Sequence, residues 1–342
     1  MDLGLSADQV LLRDSFADFF TKESSPDRVR AAEPLGFDDA LWSQFVAMGA
    51  PTMGVPESLG GGGAQAMDLV LVAQELGRHV AAVPFVEAAT AANLLARAGA
   101  GEILTTVIDG ALATLALAAP VDGRCRLVQA GAVADVVLVL DGEELVALER
   151  VGRDARPYVA SPPNLGSSPI ADVHLDDTAF TRTVLAQGER ARALHAEAVS
   201  EWQLLMAAAL DGIRAAALDI TVEYVKVRHA FGVQLAWFQA IQHRLADITV
   251  AGDGARLLVY KAAWARDEDQ ARASDLAAMA FLYLSELAFK TCKEGVQLHG
   301  GYGYTLEYDI QLYFRRARSW PLALGDPRRE YQRLATRLYP ET

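Results

Sequence analysis

Apolar residues recur at helical spacing over the first third of the chain. Ser6 can cap a first helix, and Asp38 or Asp39 can start another. The apolar runs at residues 67–76 and 88–98 fit two more helices. This pattern predicts that the first part of the chain is entirely helical.

Glycines interrupt the helical pattern at two places. Gly77 is expected to end the helix of residues 67–76, because glycine is common just past a helix C-terminus. Residues 60–63 are a run of glycines and indicate an irregular connection. A phosphate-binding P-loop is not expected there, because no Lys-Ser or Lys-Thr pair follows the glycines.

Short apolar runs with β-branched residues replace the helical pattern after Asp109. Gly, Asp and Pro separate these runs, which is typical of strands. Strands are predicted over residues 111–117, 126–129, 135–140 and 144–148. Long helices are predicted again from Ala191 onward, over residues 196–227, 238–266 and 274–298. Apolar faces this long are expected to pack as a bundle and to reach other subunits as well.

The order of helices, strands and helices predicts three domains of an α+β, mainly α, fold. They are an N-terminal helical domain over residues 1–108, a small β domain over residues 109–190 and a C-terminal helical domain of the four-helix type over residues 191–342. A chain of 342 residues is long enough for two or three domains.

The net charge, the apolar runs and the cysteine count limit which partners and which cellular setting are expected for this chain. The formal net charge is −13, which argues against nucleic acid because binding a phosphate backbone needs basic surface. No apolar run is long enough to cross a bilayer, and the first residues do not form a signal peptide. Cys125 and Cys292 are too few for a disulfide framework and lack metal-ligand spacing. We therefore expect no metal site and a reducing, cytoplasmic setting.

Two stretches of the predicted C-terminal domain carry the strongest motifs. One is an Arg-x-x-Phe-Gly turn followed by a Phe-Gln pair, and the other reads Gln-x-x-Gly-Gly-x-Gly-Tyr. Their positions are Arg228, Phe231, Gly232, Phe238, Gln239, Gln297, Gly300, Gly301, Gly303 and Tyr304. Paired glycines after a helix can simply serve a positive φ or tight packing, and a bare backbone for a ligand is the alternative. In this order and spacing the motifs resemble the acyl-CoA dehydrogenase family, and the likeness extends along the whole chain.

The resemblance implies an FAD site that two subunits share. In that family the arginine of the first motif and the glutamines bind the pyrophosphate and ADP portion of FAD, which the neighbouring subunit mainly holds. The cofactor-binding residues implied here are Arg228, Phe231, Gln239, Gln297, Gly300 and Gly301. An arginine fork suits a pyrophosphate, and a glycine backbone allows close approach. The structural alternatives are a core position for Phe231 and a surface ion pair for Arg228.

The β domain departs from the family in the loops that hold the flavin ring and part of the acyl-CoA. The family's Thr-Glu-Pro-x-x-Gly-Ser-Asp loop is replaced by Ala-Ala-Pro-Val-Asp-Gly at residues 118–123. The family's later Trp-x-x-Asn-Gly is missing, since no tryptophan lies between Trp42 and Trp202. Residues 172–177 still resemble the strand that leads out of this domain. The domain is shorter than the family norm, which implies a weak hold on the flavin ring.

Neither position of the family's catalytic base carries a carboxylate. In most members the base is a glutamate beyond the glycine motif, and Leu324 occupies that place here. Other members carry the base on the first long C-terminal helix, where the matching residue is Trp202. Glu201 and Asp326 are nearby carboxylates, expected to be solvated or to cap a helix. We therefore expect no catalytic residue in this chain.

These features together resemble the shorter, base-less subunit of actinobacterial α2β2 acyl-CoA dehydrogenases of steroid side-chain breakdown. The expected function is that of a half-site subunit, which contributes to an FAD shared with a longer catalytic partner in the α,β-dehydrogenation of an acyl-CoA. A homodimer in isolation is compatible with this function. Two alternatives stay open: a base-less binding or scaffold protein without flavin, and a self-sufficient dehydrogenase that uses Glu201 or Asp326.

Overall fold

The first part of the chain is helical, as expected. The computed structural model describes residues 3–152 and 155–339. Its first helices are α1 (Ala7–Glu23), α2 (Pro26–Ala31), α3 (Asp39–Ala47), α4 (Ala66–Arg78), α5 (Phe85–Ala98) and α6 (Gly101–Ile108). The Ser6 side chain caps α1 in a capping box with Gln9, and the Asp38 side chain caps α3. Both predicted helix starts are confirmed.

Gly77 does not end α4, so that part of the prediction is wrong. The helix continues to Arg78, and Gly77 lies inside it. A β-carbon at Gly77 would lie 1.9 Å from the carbonyl oxygen of Ala209. The absence of a side chain therefore serves a close helix crossing rather than a helix end.

The middle of the chain contains the strands. They are β1 (Ala113–Leu115), β2 (Arg124–Val128), β3 (Val136–Asp141), β4 (Glu144–Arg150), β5 (Ala171–His174) and β6 (Phe180–Gln187). Four of them form one sheet in the order β1-β3-β4-β6, in which only β1 and β3 are parallel. The strands β2 and β5 pair antiparallel in a second, two-stranded sheet. Among these six strands, β6 was not predicted. It lies at the edge of the sheet, and most of its residues are polar or exposed, so it lacks the apolar run by which the other strands of this sheet were recognised.

The last part of the chain is again helical. It contains the helices α7 (Gly188–Val227), α8 (Gln239–Glu268), α9 (Gln270–His299), α10 (Ile310–Ser319) and α11 (Pro327–Leu338). A hairpin of β7 (His229–Ala230) and β8 (Val233–Gln234) connects α7 to α8. The three predicted long helices are present, and α7 begins earlier than expected.

The order of elements confirms the mainly helical fold class, with helical parts on both sides of a small β part. The predicted domain boundaries at 108/109 and 190/191 stay a prediction. By compactness the chain divides instead into two units. The first unit contains residues up to 28, residues 70–81 and residues from 203 onward. The second contains residues 29–69 and 82–202.

Glycines bring α4 and α7 into backbone contact inside the first unit. Gly77 meets the carbonyl oxygen of Ala209, and a β-carbon at Gly212 would lie 1.9 Å from the carbonyl oxygen of Gln74. A buried polar group lies at the same crossing. The Asp211 carboxylate accepts hydrogen bonds from the Gln74 amide at 2.9 Å and from the Arg214 guanidinium at 2.8 Å. Burial of these groups is tolerated because they satisfy one another.

The second unit has an apolar core between α5, α6, the four-stranded sheet and the first turns of α7. Buried members of this core include Leu94, Leu95, Leu104, Leu138 and Ala198. A buried histidine lies beside this core. The buried His195 ring donates from Nε2 to the carbonyl oxygen of Ala116, 2.9 Å away, and burial lowers the pKa of this histidine.

The outer face of α8 leaves two large apolar side chains in solvent. Val250 is 73% exposed and Leu257 is 50% exposed, and two helical turns separate them on one side of the helix. Within the described residues, no helix combines the length and hydropathy that crossing a bilayer requires. Because Val250 and Leu257 leave apolar surface in solvent, this face of α8 is a candidate for subunit contacts.

We expect acidification below about pH 6.5 to destabilise the chain in part through His195. The unfolded chain binds this proton more readily than the folded chain, since burial lowers the folded pKa, so stability falls as the pH drops through the unfolded value. Urea unfolding of the wild type and of His195→Asn at about pH 7 and pH 5.5 measures the effect. Between these two pH values, the urea midpoint of the variant should fall by less than that of the wild type. An equal loss would contradict the assignment.

We also expect the chain to be an oligomer that uses the outer face of α8. A glutamate at Val250 would put a charge into a buried apolar contact, so Val250→Glu should lower the assembly mass measured by light scattering. Thr336→Glu adds the same charge at an exposed polar position of α11 and is the control. A monomeric wild type, or an unchanged mass of Val250→Glu, would contradict the prediction.

Candidate functional site

The first motif lies in the tight hairpin that follows α7. The strands β7 and β8 leave only Phe231 and Gly232 in the turn, with φ values of 54° and 84°. A two-residue turn with two positive φ angles matches the twist of a hairpin but is unfavourable for phenylalanine. The Phe231 side chain is 98% exposed. The core position considered for Phe231 is therefore wrong, and the ring is presented to the surroundings.

The second motif begins where α9 ends. Gly300 has φ 63° and ψ −140°, a conformation that favours glycine, and its N–H donates to the carbonyl oxygen of Gln297. Gly303 is buried, and a β-carbon there would lie 2.6 Å from the carbonyl oxygen of Val296. Gly301 differs from both, because its φ is not positive and a β-carbon would meet nothing within 4 Å. Its backbone borders open space.

A cavity of about 420 Å³ lies between the two motifs. It is lined by Tyr224, Arg228, Leu235, Leu298, His299, Gly300, Gly301, Tyr302 and Thr305. Two side chains that no motif signalled form one wall: the Tyr224 and His299 rings stack with centroids 4.0 Å apart. The Tyr224 hydroxyl also donates to the carbonyl oxygen of His299 at 3.2 Å. The ends of α7 and α9 are thus tied together at the cavity.

Arg228 gives the cavity a positive charge. Among the residues that the structure describes, no carboxylate lines the cavity, although the chain carries 44 acidic residues. Among the described residues no carboxylate pairs with Arg228, whose guanidinium carbon lies 5.6 Å from the centre of the Tyr302 ring. The alternative that Arg228 forms a surface ion pair is therefore wrong for the residues that the structure describes. Burial lowers the pKa of His299, which favours the uncharged form of its ring.

The predicted cofactor residues divide into two groups. Arg228, Gly300 and Gly301 line the cavity. Phe231, Gln239 and Gln297 are exposed and do not line it. The sequence motifs did not indicate the wall of Tyr224 and His299, because it depends on a contact between residues far apart in the chain.

The positions of the family base hold side chains that cannot accept a proton. Leu324 ends a 3₁₀ turn, Trp320–Leu324, and is half-buried. Trp202 is buried in α7, and its indole N–H donates to the Glu87 carboxyl at 3.3 Å. Burial raises the pKa of Glu87, a carboxyl group that the sequence motifs did not indicate.

Glu201 is not a solvated carboxylate, so that expectation is wrong. It is 2% exposed, and its two oxygens accept hydrogen bonds from the Asn93 amide at 2.5 Å and the Arg97 guanidinium at 2.8 Å. Asp326 does cap a helix, since its side chain accepts from the N–H of Arg328 at the start of α11. Both carboxylates therefore have structural partners.

The loop expected at the ring side of FAD is a minimal turn. Val121 and Arg124 exchange two backbone hydrogen bonds, of 3.0 and 3.1 Å, around Asp122 and Gly123. These two residues have φ values of 51° and 70°. A two-residue turn closed in this way offers no extended loop to lie along a ring system. Among the described residues, no cluster of His, Cys, Asp and Glu is placed to hold a metal ion.

Comparison with known proteins identifies the family. Residues 6–111 match the acyl-CoA dehydrogenase N-terminal domain, and residues 195–338 match the C-terminal domain. The acyl-CoA dehydrogenase IpdE2 of Mycolicibacterium smegmatis is 33% identical over 339 residues, which cover 98% of this chain and 100% of that protein. IpdE2 of Mycobacterium tuberculosis is 32% identical over 340 residues, which cover 97% and 98%. The chain belongs to the acyl-CoA dehydrogenase family.

Solved structures agree with this assignment. A chain of the ChsE4-ChsE5 complex from Mycobacterium tuberculosis matches with a TM-score of 0.87 and 25% identity over 100% of both chains. Butyryl-CoA dehydrogenase from Megasphaera elsdenii shares the fold with a TM-score of 0.85 at 23% identity, over 99% of this chain and 100% of that one. Family membership confirms the expected fold class and oxidoreductase family, and it implies FAD as the cofactor.

The cavity fits the phosphate side of FAD. An unpaired guanidinium suits a pyrophosphate, and the bare backbone at Gly301 leaves room for the group to approach. Arg228, Gly300 and Gly301 would hold it there. None of the described residues that line the cavity is a carboxylate, so the type of base that the family uses is not provided there.

We expect the Arg97–Glu201 contact to stabilise the second unit. Arg97→Ala would leave a buried carboxylate with one donor fewer, which should cost about 3 kcal/mol of unfolding free energy. Arg192→Ala removes an exposed contact with Glu143 and should cost less than about 1 kcal/mol. Urea unfolding measures both, and similar small losses for the two variants would contradict a structural role for the Glu201 contact.

Proposed function

We propose that this chain is a non-catalytic subunit of a heteromeric acyl-CoA dehydrogenase. Its cavity residues would contribute the pyrophosphate contacts to an FAD held mainly by a longer catalytic partner. The observation that carries the proposal is that Arg228 lines a cavity in which the described residues include no carboxylate, while the ring side has only a two-residue turn. The complex would perform the α,β-dehydrogenation of an acyl-CoA, with steroid side chains as candidate acyl groups.

Each residue would act by binding or orienting. The Arg228 guanidinium would donate to phosphate oxygens, and Gly300 and Gly301 would let the phosphates approach the backbone. The exposed ring of Phe231, at the tip of the hairpin, would contact the partner subunit or its FAD. Gln239 and Gln297 would offer exposed hydrogen-bond donors to the same FAD. Bound FAD supplies the hydride acceptor of the reaction. Abstraction of the substrate proton would fall to a carboxylate of the partner.

The similar proteins support a heteromeric assembly. One matching structure is a complex of ChsE4 and ChsE5, and another is described as a Tcur3481-Tcur3483 steroid acyl-CoA dehydrogenase, matched with a TM-score of 0.81 at 25% identity. The partner proposed here is a longer acyl-CoA dehydrogenase, in an α2β2 assembly. A homodimer is the expected form of the chain in isolation.

We expect the chain purified alone to be colourless and inactive, because half a site holds FAD weakly. Co-expression with a longer acyl-CoA dehydrogenase that carries both flavin loops and a glutamate base should give a yellow complex with about one FAD per heterodimer, measured by absorbance after release of the flavin. Arg228→Ala should weaken FAD binding by about 2 kcal/mol, or about thirtyfold.

Matched variants test this proposal from two sides. Arg318 also has no ion pair among the described residues, and its guanidinium lies over the Phe289 ring. Arg318→Ala is therefore the control and should leave the FAD content unchanged. Glu201→Gln and Asp326→Asn should leave turnover of the complex nearly unchanged. An active yellow preparation of the chain alone, silenced by either carboxylate change, would overturn the non-catalytic role. A complex that keeps its FAD after Arg228→Ala would favour a scaffold without flavin contacts.

A further inference from the structure

A column of aromatic rings stands behind Arg228. The guanidinium carbon lies 5.6 Å from the centre of the Tyr302 ring, and Tyr302 stacks on Tyr308 with centroids 5.1 Å apart and planes 25° apart. Tyr308 is fixed in turn by edge contacts with Tyr224 at 6.3 Å and with His299 at 6.1 Å. The cation therefore lies on a ring that three further rings hold in place.

The Tyr302 ring at the end of this column orients the Arg228 guanidinium. The Arg228 side chain is exposed, and among the described residues it has no carboxylate partner. A long side chain free in solvent loses rotamer freedom when it binds, and this loss opposes the binding of a phosphate. The face of an aromatic ring attracts a guanidinium and limits its orientations. The N–H groups at the edge of the guanidinium stay available for hydrogen bonds.

We propose that Tyr302 is a positioning residue for the cofactor site: its ring holds the Arg228 guanidinium towards the cavity, ready for a phosphate group. This inference rests on the proposed function. The ring face is what matters, so the Tyr302 hydroxyl is dispensable. The residue acts on affinity alone, since it contacts the cavity and no catalytic group.

The aromatic series of variants separates the ring from its hydroxyl. In the co-expressed complex, Tyr302→Phe should bind FAD within about twofold of wild type, and Tyr302→Ala should bind it about tenfold more weakly. Tyr304→Ala is the control, since it removes a ring of the same turn that is 79% exposed. Turnover per bound flavin should be the same in all of them. A Tyr302→Phe variant as weak as Tyr302→Ala would overturn the proposal.

A double-mutant cycle shows whether Tyr302 acts through Arg228. If it does, Tyr302→Ala added to Arg228→Ala should weaken FAD binding by no more than about twofold beyond Arg228→Ala alone. Full additivity of the two changes would mean that Tyr302 merely lines the cavity, and would overturn the inference. An Arg228→Ala variant with normal FAD affinity would instead overturn the proposed function itself, so the two failures are distinguishable.

Discussion

The closeness of α9 to α7 is the constraint on which the cofactor cavity depends. A β-carbon at Gly295 would lie 2.7 Å from the hydroxyl oxygen of Thr221, so any other residue there would force the neighbouring side chains or the helices to shift. One turn further on, the Tyr224 and His299 rings stack, and each helix ends within a turn of that contact. The cavity lies between the two helix ends. Helix packing sets the wall formed by Tyr224 and His299, and the turn after α9 adds Gly300, Gly301 and Tyr302.

Binding and catalysis place different demands on this fold. The phosphate side needs one cation and bare backbone, which the ends of two long helices provide. At the two positions that the family resemblance implies for the catalytic carboxylate, the chain has Leu324 and Trp202. Helix packing tolerates either outcome, because a buried tryptophan or a half-buried leucine fills space as well as a carboxylate does. The proposed half-site function therefore requires no change of fold.

The carboxylate nearest to a base position shows how burial redirects a reactive group. Glu201 lies one residue from Trp202, but Asn93 and Arg97 from α5 occupy both of its oxygens. A base must keep an oxygen free to face its substrate. Proximity in sequence to a catalytic position is therefore weak evidence of function. The partners of the side chain decide what it can do.

The sequence alone determined the fold class, the long helices and the two motifs, because hydrophobic periodicity and glycine spacing are local properties. It also showed that Arg228, Gly300 and Gly301 belong together, though only through a family resemblance. Tertiary structure decided the rest. The aromatic column at Tyr302 joins residues from α7 and from beyond α9, and the role of Gly77 depends on Ala209, a residue far along the chain. Such contacts leave no periodic signal, since they are set by how helices cross and not by the order of residues within one helix.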